Sequence, residues 1–377
     1  MPRRSEAEAG RRILVRGTNW LGDAVMTAPA LARLREQFPE AHIALLTPEK
    51  LCDLWLSHSA VNETISFAPG ENVFAVGKKL RAGKFDLALV LPNSPRSAIE
   101  TWLARIPRRI GHARPWRNFF LTNAIAPRPA AVKMRKRSVA EIKRLISETP
   151  DARPQTPNSA HQIHEYLHLV AALGANPEPI VPQLFVKPEE VEVVKKKFGL
   201  EKITNPIFGL NPGAEYGPAK RWPTLRYVAA ADEIQQRTNC VWLILGGKGD
   251  VATANLIATG MRVVTAGRSA RINLAGKTSL RELMALLKLC RVLLTNDSGP
   301  MHVAAALGTP VVVPYGSTSP ELTGPGLPGD TRHRLLKSNA PCSPCYLREC
   351  PVDFRCMNSI AVEHVVAAVV EAATANS

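Results

Sequence analysis

The chain has 377 residues, 45% of them hydrophobic and 21% charged, and its 48 Lys and Arg against 32 Asp and Glu give a net charge of +16. This length suits two globular domains rather than one, and the composition excludes an intrinsically disordered chain. The charged N-terminus and the short apolar runs predict neither a secretion signal nor a transmembrane helix, so we expect a cytoplasmic protein.

The first half of the chain alternates short apolar runs with helical patterns, which predicts a parallel β-sheet with crossover helices. Predicted strands span residues 13–16, 42–46, 64–67 and 85–91, and predicted helices span 24–38, 73–82 and 161–173. Residues 127–157 are rich in Pro, Ala and basic residues and are predicted to form loops or a mobile lid.

The loop after the first predicted strand contains the carboxylate of Asp23. The spacing Gly17-x4-Gly22 is that of a phosphate-binding loop, but the next residue is an aspartate rather than the expected lysine. A carboxylate there repels phosphate, so two interpretations remain for Asp23. It caps the following helix, or it acts as a general base.

A basic stripe follows, since ten Lys and Arg residues and no acid occur between Glu100 and Glu141. Trp116, Phe119 and Phe120 lie among them. This pattern favours an anionic membrane surface or a polyanion, and the alternative is a solvated basic face without a partner. Because no nucleic-acid-binding motif accompanies the charge, we expect no nucleic-acid partner.

The second half begins after a proline-rich break at residues 177–188. Its predicted strands span 207–210, 241–245, 263–265, 292–295 and 311–314, and its predicted helices span 225–237, 280–289 and 300–307. The whole chain is therefore predicted to form two doubly wound α/β domains facing a central cleft, where strand-to-helix loops bind ligands.

Two loops of the second half are predicted to bind a diphosphate. NPGAEYGPAKRWP, residues 211–223, delivers Lys220 and Arg221 at the start of a helix, where two cations oppose the helix dipole and so suggest a ligand. In TNDSG, residues 295–299, a strand runs into a helix that carries His302, and backbone N–H groups around Ser298 can hold phosphate oxygens. No Asp-x-Asp pair occurs, so the charge would be neutralised without a metal.

Four cysteines cluster near the C-terminus with the spacing Cys342-x2-Cys345-x4-Cys350-x5-Cys356. In a cytoplasmic chain this clustering favours a structural metal site, with zinc first and an iron–sulfur cluster second. The alternative is four thiols without a ligand. Cys52, Cys240 and Cys290 lie in apolar runs and are predicted to pack in the core.

Three stretches carry a resemblance to a known family: RGTNWLGDAVMTAPAL, NPGAEYGPAKRWP and TNDSGPMHVAAALGTPVV, in this order. With them the chain resembles the ADP-heptose:lipopolysaccharide heptosyltransferases of glycosyltransferase family 9, most closely heptosyltransferase II. The resemblance implies a GT-B fold, with acceptor domain 1–178, nucleotide-sugar domain 179–358 and a last helix, within 359–377, that packs back on the first domain.

The resemblance also implies an activity: inverting, metal-independent transfer of L-glycero-D-manno-heptose from ADP-heptose to a heptose-bearing Kdo-lipid A core, with no cofactor required. By motif, Asp23 corresponds to the general base. The implied donor-binding residues are Glu215, Tyr216, Lys220, Arg221, Asp297, Ser298, Gly299 and His302. The basic stripe would hold the anionic acceptor and the cytoplasmic face of the inner membrane through Arg114, Arg117, Arg135, Lys136 and Arg137.

Two other functions remain open at the level of sequence. One is heptosyltransferase I, or another family 9 glycosyltransferase with a different acceptor, because acceptor choice depends on the variable loops of residues 93–160. The other is a non-catalytic protein that binds a nucleotide sugar or a polyanion.

Overall fold

A computed structural model of the chain describes residues 10–129, 131–148, 157–262 and 271–375, except for the side chain of Asn158. The chain divides into two compact units. Unit 1 comprises Met1–Ala131 and Ser159–Phe185, and unit 2 comprises Val132–Asn158 and Val186–Ser377. Within the described ranges, no helix is long and apolar enough to cross a membrane.

Unit 1 is built on a parallel six-stranded sheet with the strand order β3-β2-β1-β4-β5-β6. Its strands are β1 (Arg12–Arg16), β2 (His42–Pro48), β3 (Glu63–Phe67), β4 (Leu87–Val90), β5 (Arg108–His112) and β6 (Asn123–Ile125). Its helices are α1 (Leu21–Met26), α2 (Ala28–Gln37), α3 (Val73–Arg81), α4 (Pro95–Leu103) and α6 (Ile163–Ala171). This is the Rossmann strand order.

Unit 2 repeats this topology in a second parallel sheet with the order β12-β11-β10-β7-β8-β9. Its strands are β7 (Ile207–Asn211), β8 (Val241–Ile244), β9 (Arg271–Asn273), β10 (Leu293–Thr295), β11 (Val311–Tyr315) and β12 (Arg334–Lys337). Its helices are α5 (Val139–Ser147), α7 (Pro188–Lys197), α8 (Thr224–Thr238), α9 (Val251–Gly260), α10 (Leu280–Leu289), α11 (Gly299–Ala306), α12 (Pro320–Thr323), α13 (Arg355–Asn358) and α14 (Val362–Thr374). The predicted α/β class with two Rossmann-like units is confirmed.

The central strands contain runs of buried apolar residues, because a parallel sheet is covered on both faces. In β1, Ile13, Leu14 and Val15 are fully buried. The predicted helix 24–38 is instead two helices. Thr27 lies between them, and a proline in the first turn of the second helix removes a backbone donor there.

The compact units have other limits than the domains predicted from the sequence. The division falls between Phe185 and Val186 rather than between residues 178 and 179, and residues 132–158 belong to unit 2. Helix α14 buries Val365, Val366 and Val369 in the core of unit 2, where the helix packs on α8. That residues 359–377 also pack back on the first domain stays a prediction.

The predicted strand 263–265 lies outside the described residues. Strands β5, β6, β9 and β12 were not predicted. Arg108, Arg109 and His112 supply three of the five residues of β5, so this strand lacks an apolar run. It forms because its backbone pairs with β4 on one side and β6 on the other.

Candidate functional site

Lys220 and Asp297 meet at the topological switch point of unit 2, where ligands of doubly wound sheets bind. Lys220 follows β7 and Asp297 follows β10, and these two strands are neighbours although they are far apart in sequence. Lys220 Nζ lies 2.6 Å from Asp297 Oδ2, and the two side chains are 14% and 5% exposed. The fold therefore joins two residues predicted separately from two motifs.

Two further side chains orient this ion pair. Thr318, in the loop after β11, donates a hydrogen bond from Oγ1 to Asp297 Oδ2 at 2.6 Å. The ring centroid of Tyr216 lies 5.1 Å from Lys220 Nζ, within range of a cation–π contact. The ammonium group is thus held between a carboxylate and an aromatic ring before any ligand binds.

Asn296 connects the two loops that carry the ion pair through hydrogen bonds of its side chain. It is fully buried, and its Oδ1 accepts hydrogen bonds from Trp222 N and Tyr227 Oη, each at 2.9 Å. Its Nδ2 donates to the carbonyl of Pro212 at 2.7 Å. The sequence analysis missed this residue, although its position next to Asp297 in TNDSG was a usable signal.

The loop 211–223 is also held by the segment around Arg348. Arg348 Nε donates to the carbonyl of Tyr216 at 2.6 Å, and Ala219 N donates to the carbonyl of Arg348 at 3.0 Å. Gly217 has φ +156°, and a Cβ there would lie 2.4 Å from the Arg348 carbonyl oxygen. Only glycine permits the loop 211–223 to approach Arg348 this closely, and this contact holds the part of the loop that carries Lys220.

The other predicted donor residues lie around this centre. Ser298 is the N-cap residue of α11, Gly299 is its first residue, and His302 is buried in the same helix. Arg221 Nη2 lies 3.8 Å from Asp250 Oδ1, and the side chain of Glu215 is exposed.

Asp23 lies in the first turn of α1 in unit 1, at the carboxyl end of β1. Gln162 Nε2 lies 3.5 Å from Asp23 Oδ1 and donates to Tyr166 Oη at 2.7 Å. Burial first, and then the negative charge of Asp23, raise the pKa of Tyr166, so this phenol stays protonated. The sequence contains no signal for Gln162, which is 139 residues away from Asp23. Trp20, not Asp23, is the N-cap residue of α1. Stabilisation of this helix end by the Asp23 carboxylate, and proton transfer by it, remain predictions.

The loop before Asp23 rests on a buried ion pair. Arg16 Nε lies 2.9 Å from Glu100 Oε2, and the two side chains are 1% and 0% exposed. Arg16 Nη1 also donates to the carbonyl of Gly17 at 2.6 Å and to Asn19 Oδ1 at 2.8 Å. A buried guanidinium thereby shapes the turn that leads to Asp23.

The predicted basic surface is divided between the two units. Arg114 and Arg117 belong to unit 1, while Arg135, Lys136 and Arg137 belong to unit 2. Arg117 is fully buried and so does not lie on an exposed basic face, while its role toward the acceptor stays a prediction. It is buried because its guanidinium packs over the backbone of β5.

The side chains of the basic stripe that do reach solvent include aromatic rings. Trp116 is 88% exposed and Phe119 is 81% exposed, and the Phe119 and Phe120 ring centroids are 5.4 Å apart. In unit 2, Arg135 Nη2 and Arg137 Nε lie 2.7 Å and 3.8 Å from Glu141 Oε1. The exposed aromatic side chains therefore belong to unit 1, and part of the positive charge of the stripe in unit 2 is neutralised.

The predicted metal site at the four cysteines is not formed. Among the residues that the structure describes, no group of three or more His, Cys, Asp or Glu side chains is arranged to hold a metal ion. Cys342, Cys345 and Cys356 instead pack in the hydrophobic core of unit 2. Burial, and then the nearby Cys342, Cys345 and Cys350, raise the pKa of Cys356 to about 12.

Comparison with known proteins shows likeness in sequence and in fold. Residues 73–354 match the family described as glycosyltransferase family 9 (heptosyltransferase). The chain is 32% identical to lipooligosaccharide heptosyltransferase 2 of Haemophilus ducreyi, over 83% of this chain and 86% of that protein. It is 32% identical to lipopolysaccharide heptosyltransferase 2 of Escherichia coli, over 83% of this chain and 85% of that one.

Among solved structures, the E. coli ADP-heptose lps heptosyltransferase II superposes with a TM-score of 0.76 at 27% identity. This superposition covers 97% of the present chain and 99% of the E. coli chain. A family 9 glycosyltransferase of Veillonella parvula superposes with a TM-score of 0.77 at 22% identity. The likeness thus extends over both units.

Proposed function

This chain belongs to glycosyltransferase family 9, the heptosyltransferase family, and from that membership we propose that it is a heptosyltransferase II of lipopolysaccharide core biosynthesis. It is a glycosyltransferase. The proposed reaction transfers L-glycero-D-manno-heptose from ADP-heptose to a heptose-bearing Kdo-lipid A core. The observation that carries this proposal is the Lys220–Asp297 ion pair at 2.6 Å, located where a doubly wound sheet binds its ligand.

The proposed mechanism is a single displacement with inversion. Asp23 accepts the proton of an acceptor hydroxyl, whose oxygen attacks the anomeric carbon of the heptose. The bond between that carbon and the β-phosphate oxygen breaks, and ADP leaves with the electron pair. The departing diphosphate gains charge, which Lys220 stabilises electrostatically. Inversion follows because the attack occurs on the face opposite the leaving group.

The nucleotide sugar is proposed to bind unit 2. Lys220 contacts the diphosphate together with the backbone N–H groups at Ser298 and Gly299, which begin an eight-residue helix. Asp297 accepts hydrogen bonds from heptose hydroxyls, and Tyr216 packs beside the donor. Glu215, Arg221 and His302 are assigned to the rim of the same site. No metal is required, because cations of the protein neutralise the diphosphate.

The anionic acceptor is proposed to bind through Arg114, Arg117, Arg135, Lys136 and Arg137, at the cytoplasmic face of the inner membrane. The exposed rings of Trp116 and Phe119 support this proposal, because aromatic side chains favour the boundary between headgroups and acyl chains. Nearby cations attract anionic lipid headgroups.

The test is product analysis with ADP-heptose and two defined lipid A-core acceptors that carry zero or one heptose. Transfer only to the heptose-bearing acceptor, undiminished by EDTA, is expected. Transfer only to the acceptor without heptose would assign the chain to heptosyltransferase I instead. No transfer to either, with ADP-heptose still bound, would leave a non-catalytic binding protein.

A further inference from the structure

Arg117 is a buried cation without a counter-ion among the described residues. It follows β5, is 0% exposed, and forms no ion pair with any carboxylate that the structure describes. Its Nη1 donates to Asn93 Oδ1 at 3.2 Å, whereas Nε and Nη2 have no hydrogen-bond partner in the described part of the chain. Burial, and then the charge of Arg114, lower its pKa to about 10, so the guanidinium remains charged at neutral pH.

A buried charge in this position is unfavourable unless another group neutralises it or accepts its hydrogen bonds. Removing a guanidinium from water costs free energy that only an opposite charge or a full set of acceptors restores. Asn93 supplies a single neutral acceptor. By contrast, the buried guanidinium of Arg16 in the same unit is paired with Glu100 at 2.9 Å. The unit therefore supplies a carboxylate for one buried arginine, and the other still lacks one.

The sheet is built to admit this guanidinium. A Cβ at Gly111 would lie 2.7 Å from Arg117 Nη2 and 3.0 Å from the carbonyl oxygen of Val90. Glycine in β5 thus leaves the space that the guanidinium occupies. Because Asn93 follows β4, the group lies across the carboxyl ends of two neighbouring strands, the edge where doubly wound sheets bind ligands.

The residue that the guanidinium contacts is exposed and precedes a helix. Asn93 and Ser94 are both exposed, and Ser94 is the N-cap residue of the nine-residue helix α4, where its side chain accepts a hydrogen bond from Ser97 N. The N-terminal end of a helix carries partial positive charge that favours an anion. An anion beside Asn93 would therefore lie close to this helix end and to the residue whose oxygen Arg117 contacts.

We propose that Arg117 forms the floor of an oxyanion-binding subsite, completed by Asn93 and the N-terminus of α4, that takes a phosphate or carboxylate group of the acceptor. The identification of the ligand as the acceptor rests on the proposed function. The planar guanidinium suits either oxyanion, since both present two oxygens to a pair of N–H donors. Arg117 is thus separated in role from the exposed cations of the stripe, which face the surface.

The test is thermal unfolding of the full chain in inorganic phosphate, in acetate, and in chloride at the same ionic strength. Phosphate or acetate, whichever matches the bound group, should raise the Tm of the wild type by about 3 °C or more near saturation, with chloride as baseline. In a Lys220→Met background, which removes the proposed diphosphate contact of unit 2, Arg117→Met should abolish this rise. Because it replaces an unpaired buried charge by an apolar chain of similar length, it should leave the Tm in chloride equal or higher.

The matched control is Arg108→Met, which removes an exposed cation from the amino end of the same strand. This variant should keep the full response to the oxyanion. A fall in the chloride Tm of Arg117→Met, or a failure to fold, would assign Arg117 a structural role and overturn the proposal. An oxyanion response that Arg117→Met leaves unchanged in the Lys220→Met background would overturn it as well.

A kinetic measurement links the subsite to the acceptor. Arg117→Met should raise the KM for the heptose-bearing core at least tenfold while kcat and the KM for ADP-heptose stay within twofold. An unchanged acceptor KM would overturn the assignment of the ligand. The unfolding measurements need no turnover, so a failure of the proposed heptosyl transfer is distinguishable from a failure of the subsite.

Discussion

At the scale of single residues, Lys220 and Asp297 form an ion pair at the proposed donor site. The ion pair at 2.6 Å holds the ammonium group at the carboxyl end of the sheet. In the proposed reaction, a diphosphate would compete with Asp297 for this ammonium group, and the carboxylate would become available to sugar hydroxyls while Thr318 still donates to it. Under that proposal, the pair would couple the binding of phosphate to the binding of sugar.

Asp23 can be tested with a substitution that separates stabilisation of the helix end from proton transfer. Asparagine has nearly the size of aspartate and keeps a side-chain oxygen at the start of the helix, but it cannot accept the acceptor proton. Asp23→Asn should therefore lower kcat by about 10²- to 10⁴-fold, the range typical of general bases, with the affinity for ADP-heptose unchanged. Steady-state kinetics together with calorimetric titration of ADP-heptose measure both quantities.

The control for Asp23 is Asp86→Asn, which makes the same change at an exposed position just before β4. It should retain wild-type turnover. If Asp23→Asn also remains fully active, the carboxylate only stabilises the helix end and another group takes the proton.

At the scale of secondary-structure elements, the sequence predicts a strand or loop whose own residues favour it. It does not predict an element or a contact that depends on neighbouring segments of the fold. Strand β1 was predictable because its apolar residues are consecutive, whereas β5 is rich in basic residues and depends on pairing with β4. The loops of Lys220 and Asp297 carry Gly, Pro and Asp-Ser-Gly signals. The contact of Gln162 with Asp23 has no local signal, because α6 reaches α1 only through the tertiary fold.

The burial of Arg117 was unpredictable for the same reason. In the sequence it is one of ten similar cations, and composition alone assigns all of them to the surface. Only the pairing of β4 with β5, and the missing Cβ of Gly111, distinguish it from its neighbours.

The buried ion pair between β1 and α4 gives a prediction for stability. Glu100→Ala leaves Arg16 charged, buried and unpaired, so the free energy of unfolding of unit 1 should fall by about 3–5 kcal/mol. Urea denaturation followed by intrinsic fluorescence measures this change, with the transition of unit 1 treated separately from that of unit 2.

The Arg33–Glu36 pair on α2 provides the comparison, because its carboxylate side chain is 54% exposed. Glu36→Ala should change the stability of unit 1 by at most about 0.5 kcal/mol, as for other exposed pairs one helical turn apart. Equal losses in the two variants would mean that the burial of the Arg16–Glu100 pair adds nothing to its strength.

At the scale of the whole molecule, the net charge of +16 and the exposed rings of Trp116 and Phe119 lead to a prediction about membranes. The full chain should bind vesicles that contain anionic lipid and bind zwitterionic vesicles much more weakly, with an affinity that falls as salt rises. Vesicle co-sedimentation at two salt concentrations measures both dependences.

Two multiple variants separate the contributions of the two units to this binding. Replacing Trp116 and Phe119 by serine should reduce vesicle binding at low and at high salt, because the rings act through burial of apolar area. Replacing Arg135, Lys136 and Arg137 by glutamine should reduce binding at low salt only. Its effect should be smaller than three full charges imply, about 1 kcal/mol each, because Glu141 already pairs with Arg135 and Arg137.

Leu225→Ser, at a position of unit 2 that is 81% exposed, is the control and should bind like the wild type. Unchanged vesicle binding in both multiple variants would refute the proposed membrane contact, and a loss confined to the glutamine variant would transfer it from unit 1 to unit 2.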